Sequence, residues 1–263
     1  MKKIIIIFNL FFLSFFMGCV GKSQKEDLSD QKETIKKYKM KKGGFEPSGV
    51  TKLGEELYII SDNAKAAIFY GNGKIKYLKL KIKGDFEGIT TDGEYFYIVS
   101  ESKDSIVKTS KKFDFIKEYK VKRKFNGEKV LKKKGNGLEA VTFLYEDEKG
   151  KHFIVANQSY KRRGKGKSAL LFVLLSEDGA KTYKYVPMKI VDISGLYYDN
   201  KKDLLYVLSD IDDKVYVFKL RDLEKGKFIK ELKVPGEEQE GIFLDGKFLY
   251  IADDKGKFFQ IKI

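Results

Sequence analysis

The chain has 263 residues, of which 42% are hydrophobic and 14% aromatic, so it is long enough to bury a full core in one domain. Its formal net charge is +15, and it contains one cysteine and one histidine. A single cysteine excludes an intrachain disulfide, and the shortage of sulfur and imidazole ligands argues against a zinc or copper site.

Residues 1–18 have the pattern of a bacterial lipoprotein signal peptide. Two lysines precede an apolar run over residues 4–17, which is shorter than the roughly 20 residues of a membrane-spanning helix. The run leads into Phe16-Met17-Gly18-Cys19, which resembles a lipobox, although Phe16 stands where leucine is usual. The pattern predicts lipidation at Cys19 and a lipid-anchored protein on the cell membrane or outer membrane, facing the periplasm or the exterior. The alternative is an ordinary secretory signal with an incidental cysteine.

Two further regions follow the signal segment. Residues 19–34 are polar, mixed in charge and poor in β-branched side chains, which predicts a flexible tether. Residues 35–263 are predicted to form the folded domain, and Ile35 to Met40 would be an edge strand at its start.

The folded part repeats one short phrase five times. In each copy a Ser or Glu precedes Gly or Ala and then an aliphatic residue, and a β-branched and aromatic run follows. Successive phrases begin 39, 52, 55 and 46 residues apart and carry strand patterns without helical periodicity. Repeats of this period are typical of propeller blades. The phrases begin at Ser48, Glu87, Glu139, Ser194 and Glu240.

The sequence therefore predicts an all-β fold, a five-bladed β-propeller with four antiparallel strands per blade. The last repeat, which ends at Ile263, shows only three strands. The strand near Ile35 to Met40 is predicted to supply the fourth, which would close the ring and remove two exposed sheet edges.

One mouth of the central channel is predicted to be acidic. The inner strand of each blade lines the channel, so the residues that begin the five phrases are expected to form a ring there. Acids also precede four of the phrases by two residues, and an acid or amide follows each second strand. These flanking positions are Glu46, Asp85, Gly137, Asp192 and Glu238 before the phrases, and Asp62, Glu101, Asn157, Asp210 and Asp253 after the second strands.

Converging carboxylates repel one another, and the usual remedies are a bound cation, interleaved basic groups or protonation. A hard ion with six to eight oxygen ligands suits such a ring, which predicts calcium. The alternative is that these acids cap turns and face water.

The repeated phrases carry a family resemblance. Phe86-Glu87-Gly88-Ile89, Gly137-Leu138-Glu139, Asp192-Ile193-Ser194-Gly195-Leu196 and Gln239-Glu240-Gly241, with Pro47-Ser48-Gly49, resemble the SdiA-regulated domain family. Members of that family are bacterial five-bladed β-propellers similar to NHL-repeat propellers. The resemblance implies a calcium site at the channel mouth, with Glu87, Glu139 and Glu240 as metal ligands. Ala140 departs from the glycine of the other copies.

No catalytic constellation is evident in the sequence. His152 is the only histidine, and its register points away from the channel. Residues 164–167, Gly-Lys-Gly-Lys, resemble part of a phosphate-binding loop, but no strand, loop and helix surround them.

Positive charge is concentrated in two segments, 120–136 and 161–167. They carry +7 and +5, whereas the chain without residues 1–18 carries +13 in total. Both are expected on the face of the acidic mouth, where they either remain solvated or attract an anion. An exported lipoprotein rarely meets nucleic acid, so nucleic acid is not an expected partner.

Three functions remain open. The first is a monomeric, membrane-anchored, calcium-binding propeller that binds an anionic ligand or an envelope protein. The second is a calcium-dependent phosphoester or ester hydrolase, similar to propeller phytases and lactonases. The third is a structural scaffold of the cell envelope.

Overall fold

Five four-stranded antiparallel sheets surround a central channel in the computed structural model, which describes residues 23–29, 35–40, 43–131, 137–157 and 168–263. The five-bladed β-propeller predicted from the repeats is confirmed. The strands of each blade are given from the channel outwards.

Blade one contains Pro47–Leu53, Glu56–Ser61, Lys65–Phe69 and Ile75–Lys79. Blade two contains Phe86–Thr91, Phe96–Ser100, Ser105–Thr109 and Phe115–Lys120. Blade three contains Leu138–Asp147, Gly150–Asn157, Ala169–Ser176 and Gly179–Pro187. Blade four contains Ile193–Asp199, Leu204–Ser209, Lys214–Lys219 and Lys230–Lys233. Blade five contains Gln239–Leu244, Phe248–Asp253, Lys257–Lys262 and Ile35–Lys39.

The core is divided into five clusters, each lying between two neighbouring blades. Second strands such as Phe96–Ser100 are buried along their whole length because both faces of the blade are covered. They therefore read as continuous apolar runs. Outer strands such as Phe115–Lys120 are exposed or half-buried and carry charged residues.

The ring closes in blade five as predicted. Ile35–Lys39 pairs antiparallel with Lys257–Lys262, and Ile35 lies opposite Ile261. Met40 is fully buried, and its N–H donates to the carbonyl of Gly256 at 2.8 Å. N-terminal and C-terminal strands thus share one sheet, so this blade joins the two ends of the propeller.

Part of the predicted tether is ordered, which differs from the expectation for residues 19–34. Gln24–Asp27 forms a fifth strand on blade four, parallel to Lys230–Lys233. Leu28 is 1% exposed and belongs to the core between blades four and five. Low apolar content predicted a tether, but residues 24–28 gain backbone pairing with blade four and the buried side chain of Leu28.

The remaining elements are short. Lys124–Phe125 and Glu128–Lys129 form a hairpin, and Leu220–Lys225 is a 3-10 helix. None of the helices in the described ranges is long and apolar enough to cross a membrane.

Candidate functional site

A β-bulge occurs at the same repeat position in all five inner strands. In each blade the pairing with the second strand skips the residue that begins the phrase, for example between Phe86 and Gly88. A bulge leaves one residue unpaired and turns its side chain away from the regular pleat. The five bulged residues are Ser48, Glu87, Glu139, Ser194 and Glu240.

The glycine after the bulge allows neighbouring inner strands to approach closely. A Cβ on Gly49 would lie 2.9 Å from the backbone nitrogen of Ile89, and a Cβ on Gly241 would lie 2.8 Å from the Cα of Gly49. Ala140 replaces this glycine in blade three, and its methyl packs in the core between blades three and four. Below the ring the channel narrows to a cavity of about 10 Å³, which is at the lower limit for one water molecule.

The structure brings Glu87, Glu139 and Glu240 together at this mouth. Burial raises the pKa of the Glu87 carboxyl to about 8, and the neighbouring carboxylates Asp85 and Glu101 add to the effect. The pKa of Glu139 also lies well above its ordinary value, through burial and then through Glu87, Glu101 and Glu240. Burial raises the pKa of Glu240 well above its ordinary value as well, and among the neighbouring acids Glu87 adds most to the effect.

A second layer of acids surrounds the ring because the same backbone bond recurs in three blades. The N–H of the residue after the second strand donates to the carbonyl of the residue two positions before the ring. The bonds are Glu101 to Asp85 at 3.0 Å, Asp210 to Asp192 at 3.2 Å and Asp254 to Glu238 at 2.9 Å.

This outer layer is also partly desolvated. Burial, with Asp192 and Glu238 nearby, raises the pKa of Asp210 to about 6. Burial raises the pKa of Asp254 to about 6 as well, and Asp62 adds to it.

Carboxyl groups of the two layers lie close enough to share hydrogen bonds, Asp85 with Glu87 and Glu101 with Glu139. Each such bond needs a proton, because two ionised carboxylates have no donor. Ligand oxygens of Asp85, Glu87 and Glu101 all lie within 4.8 Å of one another. Within the described ranges, no ion pair joins Glu87, Glu139 or Glu240 to a lysine or arginine.

The two serines of the ring are buried, with Ser48 at 2% and Ser194 at 5% exposure. The Ser48 hydroxyl donates to the carbonyl of Glu46 at 3.2 Å. Among the described residues, the Ser194 hydroxyl has no hydrogen-bond partner. An unsatisfied buried hydroxyl beside a ring of carboxylates is a further oxygen ligand available at this mouth.

Two of the residues expected at the acidic mouth are placed elsewhere. Asn157 is fully buried; its side-chain oxygen accepts from the N–H of Ala169, and its amide donates to Val130. Asp253 is also fully buried and accepts the N–H of Glu237 at 2.7 Å. Both end their second strands and hold the adjoining loops in place.

The acid of blade five at the mouth is Asp254, which the sequence reasoning missed. Asp253 pairs with Gln239 in blade five, and Ser61 pairs with Pro47 at the same position in blade one. Asp62 follows Ser61, so its equivalent in blade five is the residue after Asp253, which is Asp254. The sequence did carry a signal. In the four blades whose second strand contains a tyrosine, counting four residues from it reaches the acid at the mouth, for example from Tyr58 to Asp62 and from Tyr250 to Asp254.

The first basic segment is described only up to residue 131, and residues 132–136 and 161–167 lie outside the described ranges. Arg123 forms an ion pair with the buried Asp104. The N–H of Asp104 donates to the carbonyl of Glu101, so the base of this segment lies beside the acidic mouth. Lys122, Lys124 and Lys129 are exposed.

His152 lies away from the ring, as its register predicts. Its ring stacks on that of Tyr145 with centroids 4.3 Å apart, and its Nδ1 lies 3.1 Å from the Tyr183 hydroxyl. It is buried on the second strand of blade three, near the hairpin at Asp147 to Gly150.

Solved structures share this architecture at low sequence identity. Glutaminyl cyclase from Myxococcus xanthus superposes with a TM-score of 0.62 at 12% identity, covering 92% of this chain and 98% of that one. Virginiamycin B lyase from Staphylococcus aureus gives a TM-score of 0.51 at 12% identity, covering 87% and 99%. These likenesses show the fold alone. Comparison with curated proteins gives no match.

The family profile named SdiA-regulated matches residues 71–262. That stretch contains the last strand of blade one and the inner strands of blades two to five, including all three ring glutamates. The chain therefore belongs to the SdiA-regulated family.

Proposed function

We propose that this protein is a lipid-anchored envelope propeller whose acidic mouth binds calcium and, through it, an anionic ligand or an envelope protein. The proposal rests on Glu87, Glu139 and Glu240. Their carboxyl groups come from three different blades, are largely buried and repel one another. Without a cation, this arrangement holds protons that carboxylates ordinarily release well below neutral pH.

Calcium suits the donor set. The ring offers carboxylate oxygens and the unpartnered Ser194 hydroxyl, and the outer layer adds carboxylates of Asp85 and Glu101. Calcium takes six to eight oxygen ligands in a flexible arrangement, whereas magnesium requires a smaller octahedral cage and keeps its water. A ring assembled from several blades, with both short and long acidic side chains, fits the larger ion better.

The basic segments support an anionic partner. Exposed Lys122, Lys124 and Lys129 lie on a segment whose base contacts the Glu101 region. A cation at the mouth would offset the ring charge, and an anion could then be attracted by both the ion and the lysines.

Asp210 keeps a second function open, a calcium-dependent phosphoester or ester hydrolase. Its pKa of about 6 would let it accept a proton from metal-bound water near neutral pH. Calcium-dependent hydrolysis of p-nitrophenyl phosphate or acetate that is lost in Asp210→Asn would favour the enzyme over the binding protein.

Calcium titration of the purified full chain tests the metal proposal. We expect a saturable heat in calorimetry and a melting temperature that rises with calcium concentration, because the ion binds only the folded state. Magnesium should have a smaller effect. Glu139→Gln should weaken calcium binding and leave the metal-free protein at least as stable, since it removes a buried negative charge.

Glu55→Gln is the matched control, because the Glu55 side chain is 99% exposed and lies outside the ring. It should bind calcium like the unmodified protein. The absence of both heat and thermal shift at millimolar calcium would overturn the proposal and leave the ring as a protonated acid cluster.

A further inference from the structure

The channel has a second opening, at the far ends of the inner strands. A cavity of about 210 Å³ lies there. All five blades contribute to it through the residue three positions after the ring. These residues are Thr51, Thr90, Thr142, Tyr197 and Phe243.

This opening differs from the acidic mouth in charge. Among the described residues that line it there is no carboxylate, and Lys52 is the one cation. The Lys52 ammonium lies 3.6 Å from the Asp245 carboxylate and 3.9 Å from Glu55. The positive charge of Lys52 is therefore already offset by these two carboxylates. The cavity offers no unpaired charge to a ligand, which disfavours a charged ligand.

Hydroxyl groups supply directional hydrogen bonds. Thr90 Oγ1 accepts the N–H of Phe143 at 3.2 Å, and Thr142 Oγ1 accepts the N–H of Tyr198 at 3.0 Å. Because each hydroxyl acts here as an acceptor, its own proton can be donated elsewhere. Asn200 is exposed at the rim, and its amide offers both a donor and an acceptor.

Aromatic rings form the other part of the wall. Tyr197 and Phe243 are half-buried, and their rings meet edge to face with centroids 5.0 Å apart. Such rings offer apolar surface of fixed orientation with little side-chain freedom. Hydroxyl donors beside an aromatic surface, without net charge, match a molecule that has hydroxyl groups at its edge and C–H groups on its face.

We propose that this opening binds a single uncharged sugar ring. The cavity is smaller than the roughly 300–1,000 Å³ of sites for drug-sized ligands, so one ring is the size it suits. The proposal is independent of the calcium site, because the two openings are at opposite ends of the inner strands.

Saturation-transfer NMR on the full chain, in a detergent without sugar groups, tests it with glucose and N-acetylglucosamine. We expect transfer to the ring protons of both sugars. Phe243→Leu keeps an apolar side chain but removes the aromatic face, and it should weaken binding about two- to tenfold. Asn200→Ala changes only an exposed rim residue and should also weaken binding.

Asp178→Asn changes an exposed residue in the outer turn of blade three, away from both openings; it is the control and should leave sugar binding unchanged. Absence of transfer to either neutral sugar would overturn the proposal. So would unchanged binding in both Phe243→Leu and Asn200→Ala, or stronger binding of glucosamine or glucuronate than of glucose. Asn200→Ala keeps the test decisive if Phe243→Leu does not fold.

Discussion

Glu87, Glu139 and Glu240 are held where ionisation is unfavourable, because burial removes their hydration and each faces other acids. Burial and the neighbouring acids together keep the pKa of Glu139 well above its ordinary value, so its carboxyl holds a proton at a pH where a free carboxyl has released it. Proton binding and cation binding are therefore alternatives at the same oxygens. Any calcium that binds must displace protons, which makes its affinity depend on pH.

The stability of the metal-free protein should depend on pH in a direction set by these shifts. The pKa of Glu87 rises from 4.5 to about 8 on folding, so the folded state holds more protons than the unfolded state between these values. The free energy of unfolding should therefore fall as pH rises through that window. Saturating calcium should remove the fall.

Urea unfolding between about pH 5 and about pH 8, in chelator and in calcium, measures both slopes. A metal-free protein whose stability stays level or increases across that range would contradict the raised pKa of Glu87. Glu87→Gln should reduce the metal-free slope, and the raised pKa values of Glu139 and Glu240 should account for part of what remains.

The residues at the mouth could be predicted only in part. The repeated phrase located the three glutamates, because one register of a repeat maps to one place in every blade. The ends of the second strands were a weaker guide: Asp253 and Asn157 were expected at the mouth but lie elsewhere, because a shift of one residue turns a side chain to a different environment. The fully buried Asp253 satisfies backbone N–H groups, whereas its neighbour Asp254 faces the other acids.

At the scale of elements, the β-bulge explains why the same three-residue phrase recurs in all five inner strands. A regular inner strand would keep the ring residue in the pleat, whereas the bulge turns it out, and the glycine that follows makes room for the next strand. Strand count and closure were predictable from periodicity. The pairing of Gln24–Asp27 was not, since it depends on a neighbouring sheet edge that only the assembled fold provides.

Leu28 should contribute measurably to stability despite its place in a polar segment. Leu28→Ala removes a 1% exposed side chain from the core between blades four and five. Such changes typically lower the free energy of unfolding by about 2–5 kcal/mol, and about 2 kcal/mol here would lower the melting temperature by about 4–8 °C. Thermal unfolding followed by circular dichroism measures it.

Ile229→Ala is the matched control, because Ile229 is 41% exposed and the carbonyl that binds the N–H of Gln24 is retained. Equal melting temperatures for the two variants would show that burial of Leu28 adds nothing to the stability of the fold.

For the whole molecule, the separation of charge is more informative than its sum. A chain of net charge +15 gathers eleven carboxylates at one mouth, three in the ring and eight around it. The surrounding eight are Glu46, Asp62, Asp85, Glu101, Asp192, Asp210, Glu238 and Asp254.

Anchoring can be tested at the same scale. We expect Cys19→Ser to leave the protein unprocessed or free of the membrane without unfolding it, because the strands of the fold begin at Gln24. If Cys19 carries the lipid, the five residues from Cys19 to Gln24 can span at most about 18 Å, so Gln24 would lie within that distance of the lipid attachment. Fractionation and the melting temperature of the variant measure both parts. A normally cleaved variant that stays with membranes would exclude lipidation as the anchor.

The close approach of Gly49, Gly88 and Gly241 narrows the channel below the acidic mouth to a cavity of about 10 Å³, the lower limit for one water molecule. If a hydrated ion binds at the mouth, this narrowing would make it leave by the same route, and its exchange rate would then be set by that mouth and not by flow through the molecule. Solutes at the opposite opening cannot displace it by contact. Any influence of one opening on the other has to travel through small movements of the five inner strands, which both openings share.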